Sequence, residues 1–386
     1  MHRNIKLLAV FNFFTDLKFH SAVLILYFAS ITGSFTLSMS LFSIVMISSA
    51  IFEIPTGTFS DIIGRKKSAT AGALFAVSSA IFYAIGQNYW VLFLGALLEG
   101  ISRSWYSGNN DALLHDSLSE LKNKESYAHY LGKVSAMFQV ALMVGAVIGS
   151  ILAQWSFSLI MWLSVIPQIV CFVISLFLTE PNRLKKGEAN IFSHIKISAL
   201  HLWNNKKLKL LSIQDIISFG IGESSFQFGS AFIATLWPLW AIGFSKMISY
   251  GGASVSYWFS GKIIRKFGEY NILIAAHIYT RIANFIAYGA PTVFSPILMA
   301  SSSIFYGVTS VSKNSLMQKE YTEEQRATLG SIHSFIGSLF FGMFAPILGF
   351  IADMYGPAKA LIFVQCCMLS VLYINVKLKK MKEDHT

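Results

Sequence analysis

Apolar residues in this chain gather into long runs separated by short polar connections. A run of roughly 20 residues crosses the ~30 Å hydrocarbon core of a bilayer as a helix rising about 1.5 Å per residue. Twelve such runs lie at 7–30, 35–59, 68–87, 89–110, 131–153, 157–178, 210–233, 237–260, 271–290, 294–314, 328–351 and 358–376. They are numbered here as spans in chain order, and an even number of spans puts both termini on one side. The connections on that side carry Arg65, Lys66 and Lys67, then Lys122 and Lys124, then seven basic residues from Arg183 to Lys209. Lys262, Arg265, Lys266, Lys319 and Arg326 follow, and the tail adds Lys377, Lys379, Lys380 and Lys382. The opposite connections carry only Lys359. Basic connections stay in the cytoplasm, so both termini are expected there.

The least hydrophobic stretch of the first hundred residues is Gly57 to Lys67, wedged between spans 2 and 3. Its glycines permit a tight reversal, Asp61 can cap a helix start, and Arg65, Lys66 and Lys67 hold it at the cytoplasmic face. Gly57 and Gly64 are seven apart, and so are Gly261 and Gly268, 204 residues downstream, around Lys262, Arg265 and Lys266. The spacing predicts a six-plus-six duplication. Residues 1–180 form one bundle, 181–209 a basic cytoplasmic linker, and 210–386 a second bundle with a short tail. Ile191, Phe192, Ile195 and Leu202 in the linker fit an amphipathic helix on the membrane surface. A third echo, Gly349 to Gly356 around Asp353, falls after span 11 on the outer side.

Composition agrees: 54% of the 386 residues are hydrophobic and 13% charged, and the mean hydropathy is +0.57. Those values leave no room for a sizeable soluble domain. A net charge of +11 would suggest nucleic acid in a soluble protein, but here the basic residues sit in the connections and set topology. No nucleic-acid partner is expected. Cys171, Cys366 and Cys367 lie in apolar runs without metal or redox spacing and read as packing residues. Only Met1 to Lys6 precede the first run, with no small-residue cleavage site after it, so span 1 is expected to insert uncleaved.

Gly57, Asp61, Gly64, Arg65 and Lys66, led in by Glu53 to Thr56, resemble the signature between helices 2 and 3 of the major facilitator superfamily. Ile62 stands where many members carry a basic residue. Tyr106 to Gly108, Asp111 to Leu118, Gln318 to Glu320 and Arg326 to Thr328 resemble further stretches of bacterial members. Gly145 and Gly149 keep the glycines of the span 5 signature of drug:proton antiporters, with Ala146 in place of its proline. The resemblance implies two pseudo-symmetric six-helix bundles working by alternating access, with spans 1, 4, 7 and 10 lining a central cavity. It also implies a bacterial cytoplasmic membrane and a monomer, and gives Asp61, Gly64 and Arg65 a role in holding the cytoplasmic ends of the bundles together. Gly261, Arg265, Lys266 and Gly268 are the second-half counterpart.

An ionisable side chain at mid-membrane costs about 2.5–3.5 kcal/mol on insertion scales, so each one calls for a reason. Span 1 carries Asn12, Asp16 and His20 at intervals of four, on one helical face, with Lys18 pointing elsewhere. Span 4 carries Glu99 and Arg103, four apart with the acid first. They either serve the substrate or neutralise each other. Span 7 carries Asp215, Glu223 and Gln227, the last two sharing a face. Span 10 offers Ser302, Ser303, Tyr306 and Ser310. Asp16 and Glu223 are the candidates for proton carriage, because burial drives a carboxylate toward its neutral form. His20 reads as a polar contact, and Arg281 as a snorkelling or interhelical residue. Trp105, Tyr106 and Phe226 could line an apolar pocket.

These features point to a secondary transporter of small molecules, coupled to protons and directed outward. An uptake permease and a non-transporting membrane sensor are the alternatives. No H-E-x-x-H, G-x-S-x-G or phosphate-binding glycine loop is present, so neither an enzyme nor a cofactor is expected.

Overall fold

The computed structural model describes residues 3–120, 127–181, 202–321 and 326–383, and its elements there are all helical. Span 1 is two helices, α1 (Arg3–Asp16) and α2 (Leu24–Thr32). Spans 2 to 4 are α3 (Phe35–Ile63), α4 (Arg65–Ile85) and α5 (Tyr89–Tyr106), and α6 (Asn109–Glu120) continues past span 4. Spans 5 to 8 are α7 (Tyr127–Ala153), α8 (Phe157–Phe177), α9 (Lys206–Ile233) and α10 (Leu239–Phe267). Span 9 is α11 (Glu269–Gly289). Span 10 is α12 (Ser295–Ser301), a 3₁₀ turn (Ser302–Phe305) and α13 (Tyr306–Glu320), and α14 (Arg326–Tyr355) and α15 (Pro357–Glu383) complete the set. Most of the expected linker lies outside the described residues.

Local chemistry explains where the helices start. The side chains of Ser34, Asn88, Ser156 and Asn205 each accept a backbone N–H from the first turn of the helix that follows, which satisfies donors the helix cannot pair internally. Gly33 and Gly86 close α2 and α4 in the left-handed conformation. Lipid as the solvent is visible on α8. Trp162, Ile166, Ile169, Val173 and Leu176 form an exposed stripe at helical spacing, while Ile160, Ser164, Gln168 and Cys171 are buried on the other side. Five described helices are apolar enough to span on composition alone, within 35–53, 65–85, 157–177, 328–355 and 357–382. Met137–Ala153 of α7 is apolar but shorter among the described residues.

Two compact units emerge. The first comprises residues 1–186 together with 238–247, so the opening turns of α10 belong to it, and the second comprises 187–237 and 248–386. In the first unit Ser150 Oγ of α7 donates to the Trp240 carbonyl at 3.0 Å, and a side chain on Gly243 would strike Ala146 and Ser150.

The expected turn from Gly57 to Lys67 is shorter in the structure. α3 stays helical through Gly57 to Ile63, and the chain reverses at Gly64 alone, with φ +110°. Gly57 faces open space. Gly268 and Gly356 repeat the device, with φ +77° and +86° at the starts of α11 and α15. In all three copies the first glycine is helical and the second makes the turn.

Candidate functional site

The first unit is built around a break in span 1. α1 stops at Asp16, and Leu17 to Val23 pass through turns before α2 begins. A helix end leaves four carbonyls without internal partners, and here each is satisfied. Phe13 O accepts from Leu17 N at 3.0 Å and Asp16 O from Lys18 N at 2.9 Å. Gln168 Nε2, from α8, reaches Phe14 O and Thr15 O at 3.4 and 3.3 Å. Gly145 and Gly149 of α7 make room for the segment itself. A Cβ at Gly145 would lie 3.0 Å from the Lys18 carbonyl oxygen, and one at Gly149 would overlap the Phe19 carbonyl. Two glycines one helical turn apart thus let bare backbone meet bare backbone.

The break overturns the expectation that Asn12, Asp16 and His20 share a helical face, because the four-residue interval has no meaning across a non-helical segment. It also re-aims Lys18, whose Nζ lies 2.7 Å from Glu99 Oε1. Arg103 Nη2 meets the same oxygen at 2.9 Å, and Tyr83 Oη donates to Glu99 Oε2 at 2.9 Å. Glu99 is 7% exposed, so its charge is held by two cations and a phenol rather than by water. The His20 ring stands edge-on to Tyr83 with centroids 6.2 Å apart, and its Nδ1 is buried without a partner. Asp16, at the rim of the break, is bonded to neither cation. Asn12 accepts from Asn110 at 3.2 Å, away from this group.

The motif end of this unit is organised by residues that spacing did not single out. Asn4, fully buried in α1, donates to Thr179 O at 2.9 Å and accepts from Thr179 N at 3.0 Å. That clamp sets Glu180 on the start of α4, where its carboxylate accepts from Arg65 N and Lys66 N at 2.7 and 2.8 Å. A carboxylate there satisfies unpaired donors and meets the positive end of the helix dipole. A Cβ on Gly64 would come within 2.7 Å of it. Ser60, Asn109 and Arg65 complete the corner: Arg65 Nη1 donates to Ser60 Oγ at 2.8 Å, and Asn109 Nδ2 to Arg65 O at 3.1 Å. Asp61 lies in the last turn of α3, and its side chain is outside the described residues. No short-range pattern could have paired Glu180 or Asn4 with partners over a hundred positions away.

In the second unit Glu223 accepts from Gln227 Nε2 at 2.7 Å, as their shared face predicts. Gly268 makes its turn between Arg265 and Lys266, in the last turn of α10, and Glu269. Glu269 accepts from Lys319 and from Ser315, the latter at 3.3 Å. The Lys319 hydrogen bond holds the Glu269 carboxyl below its usual range. Gly261 is helical and faces open space. Arg281 is 7% exposed, with Nε and Nη1 unpartnered, which makes it an interhelical residue and not a snorkelling one. Of the aromatic residues expected at an apolar pocket, Trp105 packs on Phe59 and Tyr106 on Phe11 in the first unit, and Phe226 packs on Tyr250 in the second.

Comparisons with known proteins agree with this architecture. The Major Facilitator Superfamily profile matches residues 7–346. The MFS-type transporter MJ1560 of Methanocaldococcus jannaschii is 26% identical over 348 residues, covering 85% of this chain and 87% of that one. The class E tetracycline resistance protein of Escherichia coli is 26% identical over 150 residues, 39% of this chain and 35% of its own. Among solved structures, the nucleoside transporter NupG superposes with a TM-score of 0.80 at 13% identity, over 98% of this chain and all of that one. A POT family transporter superposes with a TM-score of 0.76, again at 13% identity, over 100% of this chain and 97% of that one. A helical chain of twelve spans, with two glycine-turned halves and this profile along nearly its whole length, belongs to the major facilitator superfamily and is a multi-pass membrane protein, a secondary transporter and not an enzyme.

Proposed function

We propose that the chain is a proton-coupled exporter of small, partly apolar compounds, of the drug-antiporter-like branch, with both termini in the cytoplasm. The observation that carries this reading is the broken span 1. Lys18 stands on the non-helical segment between two carboxylates, bonded to Glu99 and two residues from Asp16. When Asp16 is ionised it competes for Lys18, and when it takes up a proton Lys18 returns to Glu99. The charge state of one carboxylate thereby repositions the hinge that lines the expected substrate path. Glu99 keeps its charge through Arg103 and Tyr83 in either state. The glycine pair of α7 supports the export branch, because it seats this hinge, and so does the resemblance to tetracycline resistance proteins at the identity given above. One proton moving down about 100 mV supplies about 2.3 kcal/mol, enough for a substrate gradient of roughly fifty-fold.

The test uses purified protein in liposomes with a trapped pH dye, challenged with hydrophobic cations, antibiotics, sugars and organic acids. Substrate-driven proton movement is expected in the wild type and absent in Asp16→Asn. Loss in Glu223→Gln alone would move the proton to span 7, and substrate flux without any proton signal would refute the coupling.

A further inference from the structure

The second unit carries a charged cavity apart from its glycine turn. It measures about 290 Å3 and is walled by Asp215 and Phe219 of α9, Asn314 and Met317 of α13, Tyr321, and His333 of α14. Asp215 is ion-paired with Lys313 of α13, and the two side chains are 20% and 21% exposed. About two turns away along both helices, Lys207 and Glu320 form a second bridge at 2.7 Å. The other bridge already ties α9 to α13, so the inner one, whose Asp215 lies on the cavity wall with Lys313 paired to it, is available for another purpose.

The far wall is held in a defined hydrogen-bond state. Ser212 Oγ donates its proton to the Leu208 carbonyl at 2.7 Å, so toward His333 Nε2, also at 2.7 Å, it is an acceptor. Nε2 therefore carries the hydrogen, and in the neutral ring Nδ1 accepts from Tyr321 Oη at 2.9 Å. His333 is thus a fixed wall and leaves Asp215 and Lys313 as the exchangeable charges.

We infer that this cavity binds a small zwitterion, an ammonium and a carboxylate on one short carbon frame. A ligand with one charge would displace one member of the Asp215–Lys313 pair and leave the other uncompensated in a partly buried site, which is costly. A zwitterion replaces both at once, its ammonium taking the Asp215 carboxylate and its carboxylate the Lys313 ammonium, with no change in net charge. Phe219 and Met317 offer an apolar wall to the rest of the ligand, and Asn314 an amide. At about 30 Å3 per water-sized group, the cavity has room for on the order of ten non-hydrogen atoms. The first unit joins its first and fourth spans by a base on span 1 and an acid on span 4, Lys18 and Glu99. The second joins the corresponding spans 7 and 10 with the polarity reversed. This site is independent of proton carriage by Asp16.

Calorimetric binding to the full-length protein in lipid nanodiscs, at one pH and without a proton gradient, tests it. The probes are leucine, 4-methylpentanoate and isoamylamine, which share a carbon frame and differ in which charges they carry. Leucine is expected to bind, with each single-charge analogue weaker by roughly tenfold or more. Asp215→Asn and Lys313→Met should each weaken leucine by a similar factor, and the exchanged pair Asp215→Lys with Lys313→Asp should restore it. No leucine binding at about 10 mM (a Kd weaker than roughly 3 kcal/mol of affinity), equal binding of either analogue, or an Asp215→Asn protein that binds normally would each overturn the inference. If a single variant fails to fold, the three probes on the wild type and the exchanged pair still decide.

Discussion

Replacing Glu99 by Gln removes the buried acid that Lys18 and Arg103 share, and the structure sets the scale of the effect. At 2.7 and 2.9 Å the attractions to Lys18 and Arg103 are each about 6 kcal/mol at an effective dielectric of about 20. The Lys18 and Arg103 side chains are 25% and 48% exposed, so water takes over part of each attraction when the acid is lost. Stranding a buried charge by removing its partner typically costs about 3–5 kcal/mol, and with this exposure the lower end applies. Thermal unfolding in detergent should then fall by about 6–12 °C, at roughly 2–4 °C per kcal/mol for a unit of this size. Lys18→Met alone leaves Glu99 with Arg103 and Tyr83 and should cost about half as much. The decisive protein is the double variant. With Lys18 gone, Arg103 is the one cation of the pair that loses Glu99, and its exposed side chain can turn to water. The double variant should therefore melt above Glu99→Gln, with a coupling of about 2–3 kcal/mol in the cycle. Additive single effects, or a Glu99→Gln protein that melts within a degree of the wild type, would refute the reasoning.

Gly149→Ala forces a methyl into the Phe19 carbonyl and should lower stability by about 1–3 kcal/mol and abolish transport, whereas Gly57→Ala, helical and in open space, should be neutral or stabilise by up to about 1 kcal/mol; melting curves and flux separate them. Glu269 titrates below its unfolded value, so its contribution is complete above pH 4.5 and is lost as pH falls through its lower folded value. Melting temperature should decline across that acid window and flatten in Lys319→Met, by no more than about 1 kcal/mol because Lys319 is exposed. Arg281→Met removes a buried guanidinium whose Nε and Nη1 have no partner, and should leave the melting temperature unchanged or raise it by the equivalent of about 1–4 kcal/mol; a fall of several degrees would show a partner for that charge.

The spans were legible because lipid imposes a length and a composition on each. The glycine turns were legible because only glycine adopts φ +110° or +77° without strain. The helical ends run past the apolar runs, to Glu320 in α13 and Glu383 in α15, because hydropathy marks the lipid boundary and not the last backbone hydrogen bond. The break in span 1 was not legible. Leu17 to Val23 contain neither glycine nor proline, and Phe13 to His20 read as an ordinary amphipathic turn. What opens the helix lies elsewhere in the chain: Gly145 and Gly149 admit the non-helical backbone, and Gln168 takes the carbonyls it frees. The face assigned to Asn12, Asp16 and His20 failed for that reason, and so did the placement of Lys18.

The three glycine turns show how one local signal leads to different chemistry. At Gly64 the start of α4 is capped from over a hundred residues away by Glu180, which is held in place by Asn4 through Thr179. At Gly268 the acid is the next residue, Glu269, and it faces Lys319. At Gly356 the next residue is Pro357, which lacks the donor a carboxylate would satisfy. The turn geometry is thus repeated while the electrostatic closure is not. A Cβ would meet a neighbour only at Gly64, since Gly268 and Gly356 face open space. The first turn is therefore the one where backbone conformation and a distant carboxylate depend on the same missing side chain. Movement of the segment after α8 relative to α4 must therefore release Glu180 from the backbone donors of Arg65 and Lys66, so the position of that segment and the turn at Gly64 are tied to one another.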